Sequence, residues 1–151
     1  MTLSELKDYI KSVCLAHKDI KDFYIGSSYN ESQDINLSYP LVFYELPYYT
    51  TYLLNKQYDT VSFAFNVFVD SNSDKIKEDH DAISDAKEIG DAIIMYIIKD
   101  EPEFRIVDLS SISVREFGDD SVAGMRFELT IWLPRTYCES NIESENIFNP
   151  I

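Results

Sequence analysis

The sequence predicts one α+β domain over residues 1–134, in which two helices flank a mainly antiparallel sheet with a long hairpin, followed by an extended C-terminal arm over residues 135–151. Three observations predict this. Apolar residues recur at helical spacing in two stretches, they alternate with period two in the stretches between and after these, and the residues after Pro134 show neither period. A chain of 151 residues is also long enough for one core.

The first helix is predicted over Leu3–His17. Thr2 and Glu5 have the spacing of a capping box, in which each side chain accepts a backbone N–H at the helix start. We expect His17 to lie half-buried at the helix end rather than to bind a ligand. The apolar stripe consists of Leu3, Leu6, Ile10, Val13, Cys14 and His17.

Two short strands are predicted next. Phe23–Ile25 forms the first, a surface loop runs from Tyr29 to Ser38, and the second strand covers residues 41–46. Because proline supplies no hydrogen-bond donor, Pro40 and Pro47 at its ends favour an edge position or a short strand.

A long hairpin is predicted from Tyr48–Asn55 and Tyr58–Val69, joined around residues 56–57. The second arm alternates in the manner of a strand with one face buried. The first arm is rich in tyrosine and threonine, which is typical of a protruding ribbon or an interface, although a solvated hairpin is the more frequent case.

The longest helix is predicted over Asp74–Lys99, with Ser73 as its cap. Gly90 costs about 1 kcal/mol relative to alanine in a helix, which is tolerable where a strand comes close beneath it. The last turns, residues 93–98, are apolar on every side, so we expect cover on more than one side, from the domain's own sheet or from a neighbouring subunit.

A strand region that begins at residues 104–107 and continues at 112–117, a turn at 118–121 and a long strand at 122–133 complete the domain. Gly124 inside the last strand indicates a bulge or a close approach, and Pro134 ends the sheet.

Composition excludes several classes of function. The formal net charge of −14 argues against a surface that binds nucleic acid by neutralising phosphates. No apolar run approaches a membrane span, and the first residues lack a signal-peptide pattern, so we expect synthesis in the cytosol and no disulfide between Cys14 and Cys138.

We expect no enzyme, cofactor or metal site. The four glycines stand apart, so no phosphate-binding loop can be built, and two histidines and two cysteines are too scattered for zinc. A calcium loop from Asp70 to Asp81 is disfavoured because Lys75 replaces the required glycine. Asp119 and Asp120 are interpreted as turn residues.

The final segment, from Asp119 through Ala123-Gly124 to Trp132-Leu133-Pro134, resembles the tail-terminator and tail-completion proteins of tailed bacteriophages. The resemblance covers most of residues 1–134 by order of elements. It rests on the acidic turn, on the pair of small residues Ala123-Gly124, and on the alternating strand that ends in proline. It leaves the arm from Arg135 onward unexplained.

The resemblance implies a structural virion protein, made in the host cytoplasm, that forms a ring in the head-tail connector or neck. The partners that the resemblance implies are copies of itself and neighbouring portal, connector or tail proteins. Duplex DNA would pass through the ring without specific binding, and no membrane is implied. A negative lumen repels the duplex. The candidate subunit contacts are Tyr48, Tyr49, Tyr52, Met95, Tyr96, Ile98, Ile142, Ile147 and Phe148.

Two questions stay open at this point. The alternative function is a small acidic cytosolic binding module, either a DNA-mimic inhibitor or an assembly chaperone. The C-terminal arm is either disordered or folded against a neighbouring subunit.

Overall fold

The structure is a computed structural model that describes residues 1–26, 37–70, 76–117, 120–137, 141–142 and 144–149, with backbone alone at 76–78, 116–117 and 120–121. Most of the loop predicted at residues 29–38, the cap at Ser73, and Asp119 lie outside the described residues.

Two helices and six strands form the described fold, which confirms the predicted α+β class. In chain order they are α1 (Leu3–Ala16), β1 (Asp22–Gly26), β2 (Leu41–Glu45), β3 (Tyr49–Tyr52), β4 (Tyr58–Asp70), α2 (Ile76–Asp100), β5 (Arg105–Phe117) and β6 (Asp120–Pro134). The capping box of α1 is confirmed: Thr2 N donates to Glu5 Oε2 at 2.7 Å, and Glu5 N donates to Thr2 Oγ1 at 3.1 Å.

The strands form one sheet in the order β1-β2-β4-β6-β5, with β3 paired to the first part of β4. Only the β1–β2 pair is parallel. β4 and β6 pair along their whole length, from Tyr58 opposite Pro134 to Asp70 opposite Val122. The two long antiparallel strands therefore form the centre of the sheet.

Both helices pack on one face of the sheet, where they enclose the main core. Leu6, Ile10 and Cys14 of α1 and Ile93, Ile94 and Ile97 of α2 are buried in that core. A smaller cluster on the opposite face contains Leu41, Phe43, Phe68 and Val122. The rest of that opposite face, which we call the open face, is covered by neither helix.

Two glycines allow close approaches that the sequence predicted. A Cβ atom at Gly90 would lie 2.0 Å from the Phe127 ring, so the absence of a side chain lets α2 rest on β6. At Gly124 a Cβ atom would lie 1.9 Å from the Val67 carbonyl oxygen. The register of β6 shifts elsewhere, opposite Ile106/Asp108 and Arg115/Phe117, so Gly124 marks a close approach rather than a bulge.

The structure decides several expectations about individual elements. β2 is a short strand, which is one of the two predicted readings, and it lies inside the sheet between β1 and β4 rather than at an edge. β5 is continuous through residues 108–111, which confirms the predicted strand region. The prediction of one buried face in β4 is wrong. In β4 both faces are buried from Phe63 to Phe68, since the smaller cluster covers the second face. The domain's own sheet covers the last turns of α2 on one side, so cover of the other side by a neighbouring subunit stays a prediction.

Strand directions bring many chain segments to one end of the molecule. There β4 begins at Tyr58, β6 ends at Pro134 and β5 begins at Arg105. The amino group of Met1 donates to the Pro134 carbonyl at 3.4 Å, and the Tyr9 hydroxyl donates to Asp100 at 2.6 Å, which places the start of α1 and the end of α2 there too. We call this the hairpin end, because the β3–β4 hairpin lies there.

Candidate subunit interfaces

Two of the three groups of contact residues predicted from the sequence lie at the hairpin end. The first group lies on and beside β3 and the second lies in the last two turns of α2, whereas the third follows Pro134 in the C-terminal arm. The first two groups are separated along the sequence, and the antiparallel strand order brings them to the same end.

In the β3 ribbon, two of the three predicted tyrosines are exposed. Tyr49 is 77% exposed and Tyr52 is 66% exposed, and they point to opposite faces of the sheet because strand side chains alternate. Tyr48 packs inward instead. Its ring lies 6.3 Å from that of Phe63, and its hydroxyl shares a 2.9 Å hydrogen bond with Tyr44.

Arg135 braces the hairpin that carries this ribbon. Its guanidinium forms an ion pair with Asp59, which is buried, and donates to the carbonyl oxygens of Leu53 and Lys56 at 3.1 and 3.2 Å. The brace fixes the turn after β3, where Leu54 is 87% exposed. A hydrophobic side chain held so far into solvent at a rigid turn is suited to contact another molecule.

The end of α2 presents Met95, Tyr96 and Ile98, which are 61%, 53% and 52% exposed. Ile98 lines a cleft of about 540 Å³ between α2 and β5, whose floor includes Phe104 and Ile106.

Tyr96 lies on the other side of α2, toward Tyr9 of α1. Burial raises the pKa of Tyr9 well above its ordinary value, as do its hydrogen bond to Asp100 and the nearby Tyr96. Tyr9 therefore stays protonated and joins the two helices at this end.

The described part of the arm forms a local turn. Glu145 N and Ser144 Oγ donate to the Asn141 carbonyl at 3.2 and 2.9 Å. Ile142 is half-buried, whereas Ile147 and Phe148 are 48% and 66% exposed. The arm therefore carries two apolar side chains that the domain leaves in solvent.

The structure also reveals interface candidates that the sequence reasoning missed. β5 is an edge strand that pairs with β6 on one side and with no described strand on the other. Val107 and Leu109 on it are 41% and 40% exposed. Edge strands are templates for pairing with another chain. The signal available in the sequence was a strand with apolar residues on both of its faces.

The remaining surfaces of the domain differ in charge. On the outer side of α2, Asp81, Asp85 and Glu88 are exposed in a row, and Asp91 beyond them is paired with Lys87 at 2.6 Å. Asp85 and Glu88 also line a groove that contains Lys18 and Lys21.

The open face is closer to neutral. There Arg126 bridges Glu45 and Glu128 through hydrogen bonds of 2.8 and 2.9 Å. Asn66, fully buried beneath this bridge, donates to Glu45 at 2.8 Å. This bridge and buried amide fix side chains in place and provide no nucleophile.

Within the described ranges, no group of three or more His, Cys, Asp or Glu side chains is arranged to hold a metal ion. No helix in these ranges is long and apolar enough to cross a membrane. Burial raises the pKa of the Cys14 thiol to about 12, so the thiolate is scarce at neutral pH and this cysteine is poorly reactive.

Comparison of the sequence with models of known protein families gives no match, and comparison with curated proteins gives none either.

Proposed function

We propose that this chain is a structural subunit that assembles with copies of itself. In the form that the sequence resemblance suggests, the copies form a ring in the neck of a tailed bacteriophage, between portal-side components and the tail. The observation that carries the proposal is the gathering of exposed apolar residues from β3 and α2 at the hairpin end, from which the C-terminal arm also starts.

This distribution favours assembly because exposed apolar residues scattered singly are ordinary, whereas their concentration on one region marks contact surfaces. Tyrosine and methionine are enriched at protein interfaces, and both occur here. A head-to-tail contact between two different surfaces closes into a ring when the rotation permits. The hairpin end and the β5 edge offer two such surfaces.

The charge supports the suggested path for DNA. A net charge of −14 and the exposed carboxylates of Asp81, Asp85 and Glu88 repel a duplex, so DNA can pass without adhering. In a ring, the outer side of α2 is therefore the best candidate for the surface that faces DNA.

The same carboxylate row favours the alternative function, an acidic module that imitates DNA or serves as an assembly chaperone. Regularly spaced carboxylates on a rigid helix can meet a basic protein surface in place of phosphates. This alternative requires no self-assembly, and the exposed apolar residues at the hairpin end would then contact the foreign partner.

The test compares two isoleucine variants by negative-stain imaging, with and without neck components. Ile98→Ser alters the hairpin end, whereas Ile112→Ser alters an isoleucine that is 63% exposed on the open face and serves as the matched control. We expect rings for the natural chain and for Ile112→Ser, and fewer or none for Ile98→Ser.

Mass spectrometry of purified virions tests the phage assignment separately. We expect the chain among the virion proteins. A chain that is absent from virions and forms no particles under any of these conditions contradicts the proposal and favours the acidic module.

A further inference from the structure

A surface that binds the C-terminal arm must suit the negative charge of the arm. After Arg135 the arm carries Glu139, Glu143 and Glu145 and no lysine or arginine. The exposed apolar side chains in its described residues include Tyr137, Ile147 and Phe148. A surface that receives the arm must therefore combine apolar area with positive charge.

Two exposed apolar surfaces of the domain do not meet this requirement. The cleft between α2 and β5 has Glu101 and Glu103 among its lining residues, and their charge is offset by Arg105 and by the Met1 ammonium 3.9 Å from Glu103, which leaves no positive excess there. The β5 edge carries Asp108 beside its exposed Val107 and Leu109. Like charges repel at an interface, so both surfaces disfavour the acidic arm.

The outer flank of α1 meets the requirement. Lys7, Lys11 and Leu15 are spaced four residues apart and form one row about 12 Å long. Lys7 is paired with Asp8 at 2.6 Å, so Lys11 supplies the positive charge of this row. Leu15 is 44% exposed. The first 26 residues contain four of the nine lysines and carry no net charge, in a chain whose total is −14.

Contacts to β1 show which way this flank faces. The Lys11 ammonium lies 5.9 Å from the centre of the Phe23 ring in β1, the strand at the edge of the described sheet. Ile25 on the same strand is 38% exposed. Lysine charge and apolar area therefore lie side by side along an outer margin of the molecule.

We propose that the C-terminal arm of one copy docks along this α1 flank of a second copy, with Glu145 beside Lys11 and Phe148 against Leu15. Lys11 and Leu15 lie about 6 Å apart along the helix axis, and the segment from Glu145 to Phe148, which reaches about 10 Å at full extension, is long enough to contact both. This inference rests on the proposed self-assembly, and it adds which surfaces meet.

A charge exchange tests the ionic contact in the full chain. Lys11→Glu alone and Glu145→Lys alone should each weaken self-association about fivefold by analytical ultracentrifugation, because each replaces an attraction with a repulsion. The double variant should return to within about twofold of the natural chain. Lys87→Glu on α2, which changes net charge equally, is the matched control and should leave self-association within twofold.

A disulfide test reports which copy receives the arm. Two differently tagged chains, one Leu15→Cys and one Phe148→Cys, both in a Cys138→Ser background, are mixed and oxidised. We expect a disulfide-linked heterodimer, whereas a mixture of Ile112→Cys with Phe148→Cys should stay unlinked. If assemblies form, but the double variant does not recover self-association and no cross-link appears, this inference is wrong while the proposed self-assembly stands. A chain that stays monomeric at every concentration overturns both this inference and the proposed self-assembly.

Discussion

Replacing Gly90 with alanine tests how closely α2 rests on the sheet. In solution, alanine favours a helix over glycine by about 1 kcal/mol, so helix propensity alone predicts stabilisation. The structure predicts the reverse. The new Cβ atom would lie 2.0 Å from Cζ of Phe127 and 2.1 Å from Cε2, well inside the ordinary carbon contact distance of about 3.5 Å.

The Phe127 ring has little room to move away. It is 1% exposed and stacks on Phe65 with ring centres 5.3 Å apart. Overpacking of this kind costs about 1–3 kcal/mol, and larger shifts cost more. After subtraction of the propensity gain of about 1 kcal/mol, we expect Gly90→Ala to lower the free energy of unfolding by up to about 2 kcal/mol.

Urea unfolding of four chains measures this effect: the natural chain, Gly90→Ala, Phe127→Leu and the double variant. The smaller leucine leaves space for the methyl group, so the double variant should lose at least about 1 kcal/mol less than the sum of the single losses. Ala92→Gly, at an exposed position of the same helix, calibrates propensity and should cost about 1 kcal/mol. Stabilisation by Gly90→Ala, or strictly additive losses, refutes the close approach.

Two further predictions concern the hairpin brace and the buried thiol. Arg135→Met leaves the buried Asp59 carboxylate without its ion pair and should lower the free energy of unfolding by about 2 kcal/mol in a urea titration. The control is Arg105→Met, at an exposed site, which should change the free energy of unfolding by less than about 0.5 kcal/mol. The folded chain holds the pKa of Cys14 near 12, against 9.0 for a free thiol, so above pH 9 only the unfolded chain loses this proton and stability falls. From pH 8 to pH 10, the natural chain should lose about 1 kcal/mol more stability than Cys14→Ala, and an equal loss in both contradicts the assignment.

Local chemistry made much of the fold predictable. The capping box at Thr2 and Glu5, the helical stripe of α1 and the close approach at Gly90 each follow from a few neighbouring residues. Errors arose where distant segments decide the outcome. Alternation in β4 predicted one buried face, yet both faces are buried from Phe63 to Phe68.

The interface residues illustrate the same limit. The sequence indicated that Tyr49, Tyr52 and Ile98 were exposed or unusual, but it could not indicate that they share one end of the molecule, because strand order is set by packing. It also assigned Tyr48 to the ribbon surface, whereas the Phe63 and Tyr44 rings receive it in the domain. Alternation along one strand does not reveal what lies above the strand.

The molar mass of the purified chain in solution, measured by light scattering over a concentration series, tests self-assembly most directly. The account predicts a mass that is a multiple of 17.5 kDa for the natural chain and a lower mass for Ile98→Ser at the same concentrations. A mass of 17.5 kDa for both chains at every concentration contradicts it.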